Sequence, residues 1–246
     1  MKILITGASS GIGEALSRLY ATKDNELFLL ARREERLQTL CRELEKEALS
    51  MQIVTVDVTN FALLQEKIRA IGDVDMVILN AGVSLGHSLE ITPMDDFQKL
   101  FDANLLSSHA ILEVLLPHFR AKRGGKIVFI SSLASLITMP TSLAYSTSKR
   151  ALNAYAEGLR YKYKKEGIKV INILPGFIKS EMTDKNSFKM PFFLSTEAGA
   201  KRIYDAIAKE KRFYPFPFRF YTIIRLLNLL PDFLKEKIIH SLTQRS

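Results

Sequence analysis

Tyr145 and Lys149 stand four residues apart at the start of a helical pattern, just after an apolar run, Lys126 to Ile130, that ends in Ser131-Ser132. Residues at i and i+4 share one helix face. A cation beside a phenol favours the phenolate and lowers a pKa that is about 10 when unperturbed. Tyrosine so placed becomes an acid or base usable near neutral pH. The spacing alone is not distinctive, because Tyr161 and Lys165 repeat it and such pairs arise by chance. The rest of the chain must decide which pair does chemistry.

A second set of residues offers a phosphate site. Lys2 to Thr6 reads as a short apolar strand, followed by Gly7-Ala8-Ser9-Ser10-Gly11-Ile12-Gly13 and a helical pattern through Ala15, Leu16, Leu19 and Tyr20. A helix N-terminus presents free N–H groups and the positive end of its dipole. Glycines let the backbone turn sharply and approach a ligand without a Cβ. No Gly-Lys-Ser/Thr follows, which disfavours a nucleotide-hydrolysing P-loop.

Four further strands run Glu26 to Leu30, Gln52 to Val56, Asp75 to Leu79 and Lys169 to Leu174. Helical patterns separate them: Arg33 to Ala48, a helix capped by Thr59 through Ile71, Pro93 to Arg120, and Tyr145 to Lys165. Strands alternating with helices predict an α/β, Rossmann-like, doubly wound parallel sheet with helices on both faces. Ligands bind such sheets beyond the C-terminal strand ends. Asp57, Val58, Asn80, Ala81, Gly82 and the Pro175-Gly176 turn fall there. The second strand ends where an adenosine ribose would lie, and it carries Ala31-Arg32-Arg33 instead of an acidic residue. Arginine grips a 2′-phosphate with two donors, so NADP(H) is expected over NAD(H). Arg33 could instead pair with the glutamates of its own helix. Asn104, placed mid-helix at a cost in helix stability, is a functional candidate or a hydrogen-bonded core residue.

With 246 residues, 47% of them apolar, the chain suits one domain with a small appendage. The single Cys41 excludes an intramolecular disulfide and a cysteine-based zinc site, and His87, His109, His118 and His240 lack metal-ligand spacing, so no metal is expected. No targeting or membrane-spanning stretch is visible, and a cytoplasmic protein, at most peripheral to a membrane, is expected. The net charge is +9, and the stretch from Glu197 to Ser246 holds ten Lys/Arg against five Asp/Glu. An anionic membrane, nucleic acid or plain solvation would each suit that excess.

Taken together, these motifs resemble the short-chain dehydrogenase/reductases. Thr6–Gly13 (TGASSGIG) looks like the family's cofactor turn, Leu79–Gly82 (LNAG) its strand-end motif and Leu174–Ser180 (LPGFIKS) its Pro-Gly turn, with Ser180 where the family often has Thr. Asn104, Ser132, Tyr145 and Lys149 match its catalytic tetrad in order and approximate spacing, and the likeness runs from Met1 to about Ser180. The resemblance implies that Tyr145 donates a proton to a carbonyl oxygen or takes one from an alcohol. It implies that Lys149 lowers the tyrosine pKa and holds the nicotinamide ribose, that Ser132 binds the substrate oxygen, and that Asn104 places a water leading to Lys149. Ser131 competes with Ser132, and the family's spacing to the tyrosine selects Ser132. The implied cofactor contacts are Gly7, Ser9, Ser10, Gly11, Ile12, Gly13, Arg32, Arg33, Asp57, Val58, Asn80, Ala81, Gly82, Asn104, Tyr145, Lys149, Pro175, Gly176, Ile178 and Ser180.

The expected catalytic domain spans residues 1–212, with a substrate lid over 176–196 whose Met182, Phe188, Met190, Phe192, Phe193 and Leu194 suggest an apolar substrate. Residues 213–246 form an extension. Arg212 to Phe216 reads as a seventh strand, with short amphipathic helices at Tyr221 to Leu230 and Asp232 to Leu242. Its apolar residues interleave with Arg219, Arg225, Lys235 and Lys237, which fits a membrane contact, a subunit contact or cleft cover, or docking on its own domain. The aromatics sit among aliphatics at helical spacing, which argues against nucleic acid. The family implies a homodimer or homotetramer. The expected activity is NADP(H)-dependent carbonyl reduction or alcohol oxidation. The alternative is a non-catalytic NADP(H)-binding sensor or peripheral membrane scaffold, against which the complete tetrad argues.

Overall fold

The computed structural model describes residues 1–184 and 190–243. Seven parallel strands form one sheet in the order β3-β2-β1-β4-β5-β6-β7. They are β1 Lys2–Thr6, β2 Glu26–Ala31, β3 Ser50–Thr55, β4 Met76–Leu79, β5 Gly125–Ile130, β6 Ile168–Pro175 and β7 Phe213–Phe216. The central strands are apolar throughout because both faces are covered. Ile3 and Ile5 pack under α1 (Gly11–Tyr20), α2 (Glu34–Leu44) and α7 (Thr196–Ala208), whereas Leu4 faces α3 (Phe61–Ile71), α5 (Ser107–Ala121) and α6 (Leu143–Tyr163). Side chains of alternate strand residues point to opposite faces, so one short strand feeds two cores.

Two local expectations give way to the structure. The cap of α3 is Asn60, whose side chain accepts from Leu63 N–H at 3.2 Å. Thr59 turns the other way, its hydroxyl donating to Asp57 at 2.8 Å. The long helix expected over Pro93 to Arg120 is three pieces: α4 (Met94–Phe101), a π-helical segment Asp102–Leu106, and α5. The π segment holds Asn104, so the residue that disfavours an α-helix sits where the helix is widened.

The division expected at 212/213 falls at the start of β7, which is paired with β6. Two helices follow, α8 (Phe218–Leu227) and α9 (Asp232–Thr243). Ile224 is buried with Leu133, Ile137 and Leu174, and Phe220, Tyr221, Leu227 and Ile239 pack on that cluster. Asn228 Nδ2 donates to Leu136 O at 2.8 Å. The tail thus docks on its own domain, on the segment that follows Ser132. Its outer side remains apolar, with Phe218, Leu226 and Phe233 exposed. No helix among the described residues is long and apolar enough to cross a membrane.

Candidate active site

The strand order reverses between β1 and β4, and the ends of these two strands are stitched together by Thr6 and Asn80. Thr6 Oγ1 accepts from the N–H groups of Asn80 and Ala81, each at 2.9 Å, and donates to Ile78 O at 3.3 Å. Asn80 Nδ2 donates back to Thr6 O at 3.0 Å. The glycine turn packs on this stitch. Gly7 has φ +67°, and a Cβ on it would lie 2.9 Å from Asn80 Nδ2; one on Gly13 would lie 2.1 Å from Gly7 O. Only glycine fits such approaches. Ser10, the N-cap of α1, is extended and its side chain makes no cap hydrogen bond. The first-turn N–H groups therefore face outward without a side-chain acceptor, which suits an anion.

Arg32 and Arg33 leave the end of β2 in different directions. Arg32 reaches Asp57 at 3.3 Å. Burial alone would raise the Asp57 carboxyl, but hydrogen bonds from Thr59 and the Arg32 charge override it and hold it below the usual carboxylate range. Arg33 turns to the glycine turn, donating to Ser10 Oγ at 2.7 Å and Ser9 Oγ at 3.3 Å. Its remaining nitrogen bonds Glu181, so it does not pair with the glutamates of α2.

Past β5, Ser132 N-caps a short 3₁₀ turn, accepting from Ala134 N–H at 3.1 Å, and its hydroxyl neighbours Tyr145. Ser131 points inward, to Lys149 O at 3.4 Å. Tyr145 and Lys149 lie on one face of α6, the ammonium 5.9 Å from the ring centroid. Lys149 is buried, its Nζ donating to Ile130 O at 3.1 Å. Asn104, also buried, clamps the loop after β4: its Oδ1 accepts from Val83 N–H at 2.7 Å, and its Nδ2 donates to Val83 O and Ser148 Oγ, both at 3.0 Å. Gly82 lies between these groups, where a Cβ would be 2.8 Å from Asn104 Oδ1 and 3.4 Å from Lys149 Nζ.

Burial sets the protonation here. It pushes the Tyr145 hydroxyl up, with the neighbouring Ser132 hydroxyl opposing. It pushes the Lys149 ammonium down to about 8. In this structure the balance keeps the phenol protonated, contrary to the lowering expected from the lysine. The result is a protonated phenol with a desolvated cation beside it.

Pro175-Gly176 ends β6, and Gly176 N–H donates to Phe216 O at 2.7 Å. A Cβ on Gly176 would meet Pro217, Leu133 and Phe220, so the tail presses on this turn. Ile178 is buried against Gly199 in the core, and its side chain faces away from the cleft. Val58 and Ile12 likewise pack on the cores. Ser180 lies against Gly11 and its N–H donates to Thr183 Oγ1 at 2.9 Å. Phe188 of the lid lies outside the described residues. Ser148, Arg36 and Glu181 join the site's network without having been singled out. Ser148 adjoins a motif residue and could have been found there, whereas nothing local marks Glu181. Among the described residues no group of three or more His, Cys, Asp or Glu gathers as a metal site.

A family model described as short chain dehydrogenase matches residues 1–190. The chain belongs to the short-chain dehydrogenase family. This short-chain dehydrogenase is 35% identical over 242 residues to the 11-beta-hydroxysteroid dehydrogenase-like 2 of Arabidopsis thaliana, covering 94% of this chain and 78% of that one. Its fold is that of a short-chain dehydrogenase from Sphingobium yanoikuyae in complex with NADPH (TM-score 0.82, 22% identity, 88% of each chain). It is equally that of a short chain dehydrogenase/reductase from Burkholderia phymatum in complex with NAD (TM-score 0.82, 23% identity, 92% of each chain).

Proposed function

We propose that this short-chain dehydrogenase is an NADP(H)-dependent oxidoreductase that interconverts a lipophilic ketone or aldehyde and its alcohol, with Tyr145 as general acid/base. The observation that carries this reading is the buried Lys149 ammonium over the Tyr145 ring, with the Ser132 hydroxyl beside the same tyrosine. The site fits a nicotinamide dinucleotide. Gly7 and Gly13 let the turn pack closely on Asn80 and lead into the uncapped start of α1, and Arg33 reaches across that turn. Ser9, Ser10, Gly11 and Ile12 would meet the phosphates, Asp57, Val58 and Asn80–Gly82 the adenosine half, and Lys149 the far ribose. Pro175, Gly176, Ile178 and Ser180 would close over the nicotinamide end, Ile178 through its backbone. When bound, the cofactor supplies or accepts the hydride.

The protein supplies proton and position. Ser132 and Tyr145 hydroxyls both bind the substrate oxygen; Tyr145, still protonated, gives its proton as negative charge builds there. Lys149 stabilises the phenolate left behind, and the reverse flow oxidises an alcohol. Asn104 holds the Val83 loop against α6, beside the water path expected to return a proton to Lys149. Arg33, and Arg32 if it leaves Asp57, would take the 2′-phosphate. A lipophilic substrate is supported by exposed Phe192 and Phe193 on the lid, and by a plant relative whose name includes hydroxysteroid dehydrogenase. In Tyr145→Phe, turnover of ketones and aldehydes with NADPH should fall roughly 10²–10⁴-fold while calorimetric NADPH binding persists. Retained turnover would sink the mechanism. Binding of NADPH with no turnover of any of a broad panel by the unaltered protein would favour a cofactor sensor.

The protein is further proposed to work in the cytoplasm as a homodimer or homotetramer, pairing through the outer faces of α5 and α6, where Tyr161 stands exposed. The outer side of α8 and α9 is proposed to rest on an anionic bilayer. Exposed Phe218, Leu226 and Phe233 beside Arg219, Arg225, Lys235 and Lys237 support that contact, and a like-charged second copy would be repelled there.

A further inference from the structure

Glu181 lies in the first part of the lid, one residue after Ser180, and both of its carboxylate oxygens are engaged by arginines of the cofactor side. One accepts from Arg33 Nη1 at 2.8 Å and the other from Arg36, three residues further along α2. Arg33 uses its other two nitrogens on the hydroxyls of Ser9 and Ser10. A single guanidinium thus joins the glycine turn to the first residues of the lid. A cavity of about 410 Å³ opens beside this junction, lined in part by Ser10, Gly11, Arg36, Ser180 and Glu181.

A guanidinium presents the same fork of N–H donors to a carboxylate and to a phosphate. Two anions cannot both take the same donor in full. We infer that Glu181 is an internal competitor for the arginines that read the cofactor's 2′-phosphate, so that this lid residue tunes the preference for NADP(H) over NAD(H). The inference rests on the NADP(H) reading above. A cofactor with a free 2′-hydroxyl leaves the Arg33–Glu181–Arg36 bridge intact. One with a 2′-phosphate must displace the carboxylate, at least from Arg33, and frees the start of the lid as it does so. The arginine side chains and Glu181 are each about half exposed, from 41% to 51%, so each ion pair is weak and displacement costs a modest factor. The carboxylate oxygens sit on an exposed turn whose backbone is held by Thr183, not by Glu181, so the side chain can leave without unfolding the segment.

The test is calorimetric binding of NADPH, NADH and adenosine 2′-monophosphate to the full chain and to Glu181→Gln. The glutamine keeps the length of the side chain and removes the charge. It should tighten NADPH and adenosine 2′-monophosphate by about three- to tenfold and leave NADH unchanged. The mononucleotide confines the effect to the adenosine end, away from Tyr145. Unchanged or weaker NADPH binding in Glu181→Gln would overturn the inference, since the carboxylate would then be orienting Arg33 for the phosphate. Arg33→Ala separates the two levels. If the unaltered protein prefers NADPH, Arg33→Ala loses that preference and Glu181→Gln changes nothing, only the competitor role falls. If the unaltered protein binds NADPH and NADH alike, the 2′-phosphate reading falls and the competitor role with it.

Discussion

Two regions flank Ser132, and they are built in opposite ways. On one side, Asn104, Lys149 and Gly82 are locked together: Asn104 uses its amide oxygen and both amide hydrogens, and Lys149 is 4% exposed. On the other, α8 buries only Ile224, and α9 has no fully buried side chain. Both regions touch the same sheet edge. The difference follows from what each must hold. Proton and hydride transfer, the chemistry proposed for this region, tolerate little displacement, and its atoms are fixed by buried hydrogen bonds that are expensive to leave unmade. An apolar surface works by area and can vary residue by residue.

The contrast can be broken most sharply at Gly82. Gly82→Ala places a methyl 2.8 Å from Asn104 Oδ1, and it should reduce kcat by roughly 10²-fold through displacement of the Asn104–Lys149 geometry. Normal kcat in that variant would mean the region is softer than its packing implies. On the other side, Ile224→Ala should cost about 2–4 kcal/mol in urea unfolding, because it is the one fully buried side chain of α8 in the cluster with Leu133 and Leu174. Phe233→Ser, by comparison, should leave stability within about 0.5 kcal/mol and lower co-sedimentation with phosphatidylserine vesicles. A large stability loss there would show α9 to be packed as tightly as α6.

Lys149 sharpens the same comparison through pH. Its folded pKa of about 8 lies below the ordinary 10.5. Below pH 8 both folded and unfolded chains hold the proton, and the folded chain bears the full cost of a buried cation. Between about pH 8 and 10.5 the unfolded chain keeps the proton that the folded chain has shed, so this group makes stability rise with pH. Urea unfolding of the unaltered protein and Lys149→Met at pH 7, 9 and 10 should reveal a rise in the first relative to the second. Parallel profiles would mean that the lysine is solvated in the fold.

The sheet was legible in the sequence because its strands are short apolar runs, three of them closed by Gly7, Asn80 and the Pro175-Gly176 turn, a pattern that local chemistry writes directly. Strand ends moved by only one or two residues. The cap of α3 was misread because Thr59 and Asn60 are both capping types, and only the bond from Thr59 to Asp57 decides between them. Tyr145 and Tyr161 had equal claims on spacing. The fold separates them: Tyr161 is 67% exposed and Lys165 lies past the end of α6, whereas Tyr145 reaches Ser132. The role of Glu181 was illegible because its partners, Arg33 and Arg36, are some 145 residues away in the chain and meet it only when α2 and the lid converge.

The π segment at Asp102–Leu106 has a consequence for how this chain can change in length. Such a turn carries one residue more than an α-helix would over the same rise. Each residue of a helix advances the side-chain direction by about 100°. The extra residue therefore offsets everything after it from the direction an unbroken α-helix would give. Asn104 lies inside the widened turn, and from there it reaches both Val83 and Ser148. Deleting any one residue from 102 to 106 would remove the offset and restore a smoother helix. It would also remove the widened turn from which Asn104 clamps the loop after β4, so a shorter chain here would trade better backbone bonding for a looser site.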